Sequence, residues 1–155
     1  FHHPVEDLSP EKLLSGFGMR INPFHKGLYE HTGVDITLPR GTAIMATAPG
    51  RVVTAKRSTL QAGYGNYIEI DHGNGFVTRY AHLEEIRVKK GETVKRGFVI
   101  AASGSSGGSV APHLHYEIIR NGKNVDPVMY MISGISTEQH ELFRSVSQKE
   151  NQSLD

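Results

Sequence analysis

Turn residues divide the chain into short stretches of strand-forming sequence, and this spacing limits the folds open to it. Tyr67–Asp71 alternates apolar and polar residues, which is typical of a half-buried strand. Phe76–His82 follows after the hairpin signal His72-Gly73-Asn74-Gly75. About seven such stretches recur at spacings of roughly 8–12 residues. They are 42–46, 51–56, 67–71, 76–82, 88–94, 98–102 and 113–120. The pattern predicts a mainly β fold, an antiparallel sheet or sandwich with a barrel-like core and an open groove.

The two ends of the chain carry the helical signals. Ser9-Pro10-Glu11 reads as an N-cap, a first-turn proline and a first-turn acid, and predicts a short helix through Leu13 and Leu14 that stops at Gly16. Thr137–Val146 has apolar residues at helical spacing and predicts a C-terminal helix, followed by a polar tail. We therefore divide the chain into an N-terminal lead with a short helix (1–15), a main domain (16–136) and a C-terminal helix with a flexible tail (137–155).

Composition excludes several classes of function. A net charge of +1 and the absence of a basic run do not favour a nucleic-acid-binding protein. No segment approaches the length of a membrane span. The chain has no cysteine, which excludes disulfides and thiolate metal sites. Because it begins with Phe1 rather than methionine, we expect a processed or trimmed product whose signal peptide lies outside this sequence.

Histidines and a carboxylate at even spacing indicate a metal site. His113 and His115 lie on one predicted strand, so their side chains point the same way, roughly 7 Å apart. His31 and Asp35 are also evenly spaced, and we expect both to face one point from a single extended segment. Two neutral imidazoles and a carboxylate are the three-ligand set of a catalytic zinc site. Spacing alone does not decide whether His113 or His115 is the ligand.

His82 supplies a further imidazole, at the end of the predicted strand Phe76–His82. A lone histidine there is more often a packed or surface residue. Beside the other pairs it becomes a candidate, because hydrolysis at a metal needs one group to take a proton from water and another to stabilise the developing oxyanion. Glu117 shares a strand face with His113 and His115, and either orients a ligand imidazole or is a solvated strand charge.

Five motifs carry a family resemblance. They are Gly16-Phe17-Gly18-Met19-Arg20, His31-Thr32-Gly33-Val34-Asp35, Gly63-Tyr64-Gly65-Asn66, Tyr80-Ala81-His82-Leu83 and Pro112-His113-Leu114-His115-Tyr116-Glu117. In this order and at these separations they resemble the lysostaphin-type (LytM-like) zinc metalloendopeptidases, which cut peptidoglycan peptides. The likeness runs from about residue 16 to residue 127. It departs at Ala111, where the family usually has glycine.

The resemblance implies roles for individual residues and makes 16–136 a zinc metallopeptidase domain. The residues implied as ligands of one Zn²⁺ per chain are His31, Asp35 and His115. His82 and His113 are then the catalytic histidines, and Arg20 matches a position near the groove where it contacts substrate.

The resemblance also implies where the protein acts and on what. Family members act outside the cytoplasm, in the periplasm, in the cell envelope or as secreted proteins, on stem or bridge peptides of peptidoglycan. The segment Gly16–Arg20 resembles members from Gram-negative bacteria, and by this association we expect cleavage of the D,D cross-link between D-alanine and a diamino acid. Cleavage of a glycyl-glycine bridge is the alternative substrate choice. Oligomeric state is not predicted.

Three other functions compete with this interpretation. Some family members have lost metal ligands and activate other wall hydrolases, but this chain keeps all five residues. The repeat from Val88 to Ile100 resembles the hairpin of biotinyl and lipoyl carrier domains, yet the displayed Met-Lys-Met is missing. A closed structural zinc site would need a fourth protein ligand, and none is nominated.

Overall fold

The computed structural model of the chain describes residues 1–9, 12–21 and 28–131. Within these ranges the backbone forms twelve strands and a 3₁₀ helix at Pro127–Met129. The strands are β1 Leu13–Ser15, β2 Gly18–Ile21, β3 Leu28–His31, β4 Val34–Thr37, β5 Ala43–Met45, β6 Gly50–Lys56, β7 Asn66–Gly73, β8 Phe76–Ile86, β9 Thr93–Val94, β10 Val99–Ser103, β11 His113–Arg120 and β12 Lys123–Val125. No helix in the described ranges is long and apolar enough to cross a membrane.

Ten of these strands form one antiparallel sheet. Its main path runs β1-β4-β11-β8-β7-β6-β9, while β10 pairs with β5 and β8, and β12 pairs with β11. β2 and β3 form a separate two-stranded sheet. The prediction of a mainly antiparallel β fold is confirmed. Because β11 lies between β4 and β8, side chains from these three strands meet over the middle of the sheet.

The two faces of β11 have different surroundings. Leu114, Tyr116 and Ile118 are fully buried in the hydrophobic core, where the Tyr116 ring lies 5.4 Å from that of Tyr80. Burial of each large apolar side chain contributes roughly 1.5–3 kcal/mol. The alternate residues His113, His115 and Glu117 are buried as well, and alternation places them on the opposite face. The polar face of β11 is therefore also covered.

The hairpin between β7 and β8 forms where the sequence predicts it. Asn74 and Gly75 connect the strands, with φ angles of 53° and 84°. Positive φ at both central residues is the conformation of a type I′ turn, which matches the twist of the flanking strands and favours Asn-Gly. This turn sets the pairing of β7 with β8.

The prediction of a short N-terminal helix is wrong for Leu13–Ser15. These residues form strand β1 instead and pair with β4. Just before this strand, Lys12 N–H donates to the Ser9 carbonyl at 3.0 Å. Leu13 is buried in the core, and burial of this side chain with strand pairing outweighs the local capping signal. The predicted helix at 137–146 lies outside the described residues.

The N-terminal lead packs on the same hydrophobic core as the sheet. Val5 and Leu8 belong to the core cluster, and the backbone of Pro4 accepts a hydrogen bond from Met45 N–H at 2.7 Å. Residues 1–9 thus make direct contact with the main domain. The division of the chain after residues 15 and 136 stays a prediction.

Candidate metal centre

Strand pairing brings Asp35 and His115 together. The two residues are directly opposite each other in the β4–β11 pair, and Asp35 Oδ1 lies 3.1 Å from His115 Nδ1. His31, the last residue of β3, places its Nε2 3.3 Å from the same oxygen. All three side chains are at most 1% exposed, and one donor atom from each lies within 4.8 Å of the others. Two imidazole nitrogens and a carboxylate oxygen are donors that fit zinc.

The approach of His31 to Asp35 differs from the expected extended segment. β3 ends at His31 and β4 begins at Val34, so the chain turns at Thr32 and Gly33. The two strands belong to different sheets. The side chains therefore meet because a bend joins two strands, and the prediction of one extended segment is wrong.

A bulge in β8 directs His82 toward the same place. The register with β7 changes from Asn66 opposite Leu83 to Ile68 opposite Tyr80, which leaves one extra residue on β8. His82 has a φ of 60°, an uncommon value for a non-glycine residue. A bulge re-aims side chains, and the ring of His82 lies 4.8 Å from that of His113 and 6.0 Å from that of His115.

The loop before β11 holds one nitrogen of each of these two histidines. His82 Nδ1 lies 2.6 Å from the carbonyl oxygen of Ser106, and His113 Nδ1 lies 2.8 Å from that of Ala111. Because a carbonyl oxygen only accepts, Nδ1 carries the proton and Nε2 is the basic nitrogen in both rings. His113 Nε2 lies 3.3 Å from Asp35 Oδ1. By distance to Asp35, His113 is as close as His31.

Hydrogen bonds likewise select one tautomer for His31 and His115. His31 Nδ1 donates to the Gly16 carbonyl at 2.8 Å, which leaves Nε2 as the unprotonated nitrogen beside Asp35. His115 Nε2 donates to Glu117 Oε2 at 2.7 Å, which leaves Nδ1 beside Asp35. Both rings therefore present a lone pair toward the carboxylate, as metal-ligating histidines do.

Charged groups behind His115 set the electrostatics of the centre. Burial acts to raise the pKa of Glu117, but the hydrogen bond from His115, the hydroxyl of Thr32 and the charge of Arg79 lower it to about 2. Burial raises the pKa of Tyr64, and the neighbouring Glu117 carboxylate raises it further. Glu117 is therefore an anion at neutral pH and Tyr64 is a neutral phenol.

For Arg20 and Tyr64, the sequence alone does not establish a role. Arg20 lies on β2 opposite Tyr29 of β3, and its predicted contact with substrate stays a prediction. The sequence pattern assigns no role to Tyr64, although its ring lies 5.9 Å from that of His115. Tyr64 belongs to the motif Gly63-Tyr64-Gly65-Asn66, which could have marked it as a candidate site residue. The motif does not indicate which groups the Tyr64 hydroxyl contacts.

Comparison with known proteins assigns the family. The model of peptidase family M23 matches residues 29–127, which is more than half of the chain and includes His31, Asp35, His82, His113 and His115. The chain belongs to peptidase family M23. This confirms the resemblance found in the sequence, and M23 enzymes are zinc metallopeptidases.

Individual M23 relatives are similar over most of this chain. The peptidoglycan DD-endopeptidase ShyA of Vibrio cholerae is 42% identical over 125 residues, which are 80% of this chain and 28% of ShyA. A zinc-containing peptidase from Vibrio cholerae superposes with a TM-score of 0.71 at 36% identity, covering 80% of this chain and 37% of that one.

The catalytic domain of lysostaphin from Staphylococcus simulans has a TM-score of 0.65 at 35% identity, over 74% of this chain and 87% of that one. The M23 chain therefore covers most of an isolated catalytic domain but spans little more than a quarter of the length of ShyA.

Proposed function

We propose that this M23 domain is a zinc-dependent endopeptidase that hydrolyses peptide bonds in peptidoglycan. The observation that carries the proposal is the buried convergence of His31, Asp35 and His115, with His82 and His113 beside them. The name of ShyA supports peptidoglycan as the substrate class. We propose residues 16–136 as the metallopeptidase domain, with residues 1–15 as a lead and 137–155 as a C-terminal extension.

His31, Asp35 and His115 are the ligands of one Zn²⁺ per chain in this proposal. When bound, zinc supplies Lewis-acid chemistry: it polarises a peptide carbonyl and makes water more acidic. One carboxylate and two neutral imidazoles leave a formal charge of +1 on such a site, which favours hydrolysis. The family pattern, rather than the distance to Asp35, separates His115 from His113 in this assignment.

His82 and His113 carry the proton transfers. Each ring holds its Nδ1–H on a backbone carbonyl of the loop, so each offers Nε2 as a base. One of them accepts a proton from the attacking water and the other, when protonated, stabilises the negative charge that develops on the carbonyl oxygen. The histidine that accepted the proton from water then donates it to the leaving amine.

The proposed bond is the D,D cross-link between D-alanine and a diamino acid. The similarity to ShyA, a peptidoglycan DD-endopeptidase, favours this choice over a glycyl-glycine bridge. Since peptidoglycan lies outside the cytoplasm, we place the site of action in the periplasm, in the cell envelope or outside the cell. The partners are stem or bridge peptides of the wall, and Arg20 on β2 is proposed to contact them.

Digestion of purified sacculi tests the proposed function. Zinc-loaded protein is incubated with cross-linked sacculi and, in parallel, with glycine-bridged wall, with and without a chelator, and released fragments are analysed by mass. We expect conversion of cross-linked dimers to monomers that the chelator abolishes. Cleavage of glycine bridges alone would contradict the proposed D,D cross-link and identify the glycyl-glycine bridge as the substrate. No cleavage of either wall would contradict the enzyme and favour a non-catalytic activator.

A further inference from the structure

Glu117 lies behind His115, on the side of the imidazole that faces away from Asp35. Its carboxylate is completely buried, and within the described residues it accepts hydrogen bonds from five side chains. The donors are His115 Nε2 at 2.7 Å, Thr32 Oγ1 at 2.6 Å, Tyr64 OH at 2.8 Å, Asn124 Nδ2 at 3.1 Å and Arg79 Nη1. Glu117 and these five residues form the Glu117 cluster.

The donors of the Glu117 cluster come from separate parts of the chain. Thr32 lies in the bend between β3 and β4, Tyr64 precedes β7, Arg79 is on β8 and Asn124 is on β12. Arg79 is held in turn by Glu69 on β7, whose Oε2 accepts from Nε at 2.9 Å and from Nη2 at 2.6 Å. The position of the carboxylate is therefore fixed from several directions at once.

We propose that Glu117 is a positioning residue of the metal centre, which holds His115 in the tautomer whose Nδ1 faces Asp35. The inference rests on the proposed zinc site and names a residue outside its three ligands. A carboxylate that orients a ligand imidazole also raises the basicity of the coordinating nitrogen. Glu117 makes the contact that this role needs, and its own position is fixed by the cluster.

The alternative tautomer of His115 is excluded by the chemistry of the contact. A proton on Nδ1 would leave Nε2 as an acceptor, 2.7 Å from a carboxylate oxygen that also only accepts. The same proton would also occupy the lone pair of Nδ1, which lies 3.1 Å from Asp35 Oδ1 and is the donor that the proposed zinc site needs. With Glu117 ionised, the Nε2–H form donates to Glu117 and leaves the Nδ1 lone pair to bind a metal beside Asp35.

Apolar residues of the same volume would often give a fold of equal stability, so a buried charge at this position points to a further role. Removing a carboxylate and a guanidinium from water costs several kcal/mol per ion, and buried ion pairs often stabilise a fold no more than apolar residues of the same volume. The chain nevertheless surrounds Glu117 with donors and leaves it 0% exposed. A group that must accept a strong hydrogen bond from a metal ligand explains this arrangement.

Two measurements on Glu117→Gln test the positioning role. The first is the tautomer of His115 in metal-free protein, read from imidazole nitrogen chemical shifts. The second is zinc affinity, measured by competition with a chelator. The amide introduced by Glu117→Gln would direct N–H groups at donors of the cluster, so we expect loss of the single Nε2–H tautomer and roughly 10–100-fold weaker zinc binding.

Tyr80→Phe is the matched control. It removes a buried hydroxyl that bonds to Thr47 and Thr78 on the core face of the same sheet, away from the Glu117 cluster. We expect a lower melting temperature with unchanged tautomer and zinc affinity. If Glu117→Gln keeps both properties, or if Tyr80→Phe weakens zinc binding as much, the positioning role is overturned.

Thr32→Val combined with Tyr64→Phe provides a second route if Glu117→Gln does not fold. The double variant removes two donors but keeps the carboxylate, and we expect the same changes at smaller magnitude. Wild-type affinity and tautomer in this variant would overturn the proposal. If the variants change the His115 tautomer and the zinc affinity as expected, but wild-type protein leaves sacculi uncut, the positioning role is supported and the proposed endopeptidase is contradicted. The failure of one proposal can therefore be told from the failure of the other.

Discussion

At the residue scale, the same hydrogen-bonding arrangement recurs in the four histidines of the centre, which are His31, His82, His113 and His115. Each ring gives one nitrogen to an acceptor of the chain and presents the other toward the site. The acceptors are the carbonyls of Gly16, Ser106 and Ala111 and the carboxylate of Glu117. The tautomers are thereby set before any ligand or substrate binds, and this preorganisation has consequences that single substitutions expose.

Ser109→Ala tests how the loop orients His113. Ser109 Oγ lies 3.0 Å from His113 Nδ1 and donates to the Ala111 carbonyl at 2.6 Å, so it supports the acceptor that anchors the ring. We expect turnover to fall by about fivefold, since one neutral hydrogen bond contributes about 1 kcal/mol, with zinc affinity unchanged. Ser58→Ala, in the loop between β6 and β7, is the control, because its hydroxyl accepts from Leu60 N–H and makes no contact with Ser109 among the described hydrogen bonds. Equal loss of zinc in both serine variants would contradict this role.

The depressed pKa of Glu117 predicts a pH dependence of folding. A carboxyl with a pKa of about 2 in the folded protein and 4.5 in the unfolded chain contributes stability that is complete above pH 4.5 and disappears as the pH falls through 2. We therefore expect metal-free wild type to exceed Glu117→Gln by on the order of 3 kcal/mol at pH 6, with the difference vanishing near pH 2. Denaturant unfolding across this range measures it. A constant difference would contradict the assignment.

At the element scale, the bend between β3 and β4 requires glycine. A Cβ on Gly33 would lie 2.3 Å from the Tyr116 carbonyl oxygen and 2.8 Å from Glu117 Cγ, distances that real Cβ atoms do not show. Gly33→Ala must displace β4 from β11. We expect a loss of roughly 1–3 kcal/mol of stability and weaker zinc binding. Thr37→Ala, at the exposed end of β4, is the control in denaturant and metal titrations. Unchanged zinc affinity in Gly33→Ala would refute this requirement.

The same scale shows what the sequence predicted well. Period-two alternation and the Asn74-Gly75 turn located β7 and β8, and the two-residue spacing placed His113 and His115 on one face of β11. The sequence does not predict the bulge at His82. Four successive residues, Tyr80 to Leu83, are all buried, so alternation does not indicate which face of the strand His82 occupies. Sequence reasoning reached the contact between Glu117 and a ligand imidazole as one of two alternatives. It did not predict Thr32, Tyr64 and Arg79 as further donors, because they are distant from Glu117 in sequence and meet it only when the strands pair.

At the scale of the whole molecule, the proposed ligands join the two sheets. His31 belongs to the β2–β3 sheet, whereas Asp35 and His115 belong to the large sheet. Zinc at a hundredfold excess over its Kd should therefore raise the free energy of unfolding by about 2.7 kcal/mol. Calorimetry with and without chelator measures this shift. Asp35→Ala should abolish it, and a shift that persists in this variant would place the stabilising metal elsewhere.

The measurement that tests the account most directly is zinc content together with turnover in His115→Ala and His113→Ala. The two residues share one strand, and each places a ring nitrogen near Asp35 Oδ1, at 3.1 and 3.3 Å. We predict that His115→Ala loses zinc and activity together. His113→Ala should retain about one zinc per chain and lose turnover by roughly 10²–10⁴-fold, the range for a general acid or base. Zinc retained in His115→Ala but lost in His113→Ala would contradict the ligand assignment.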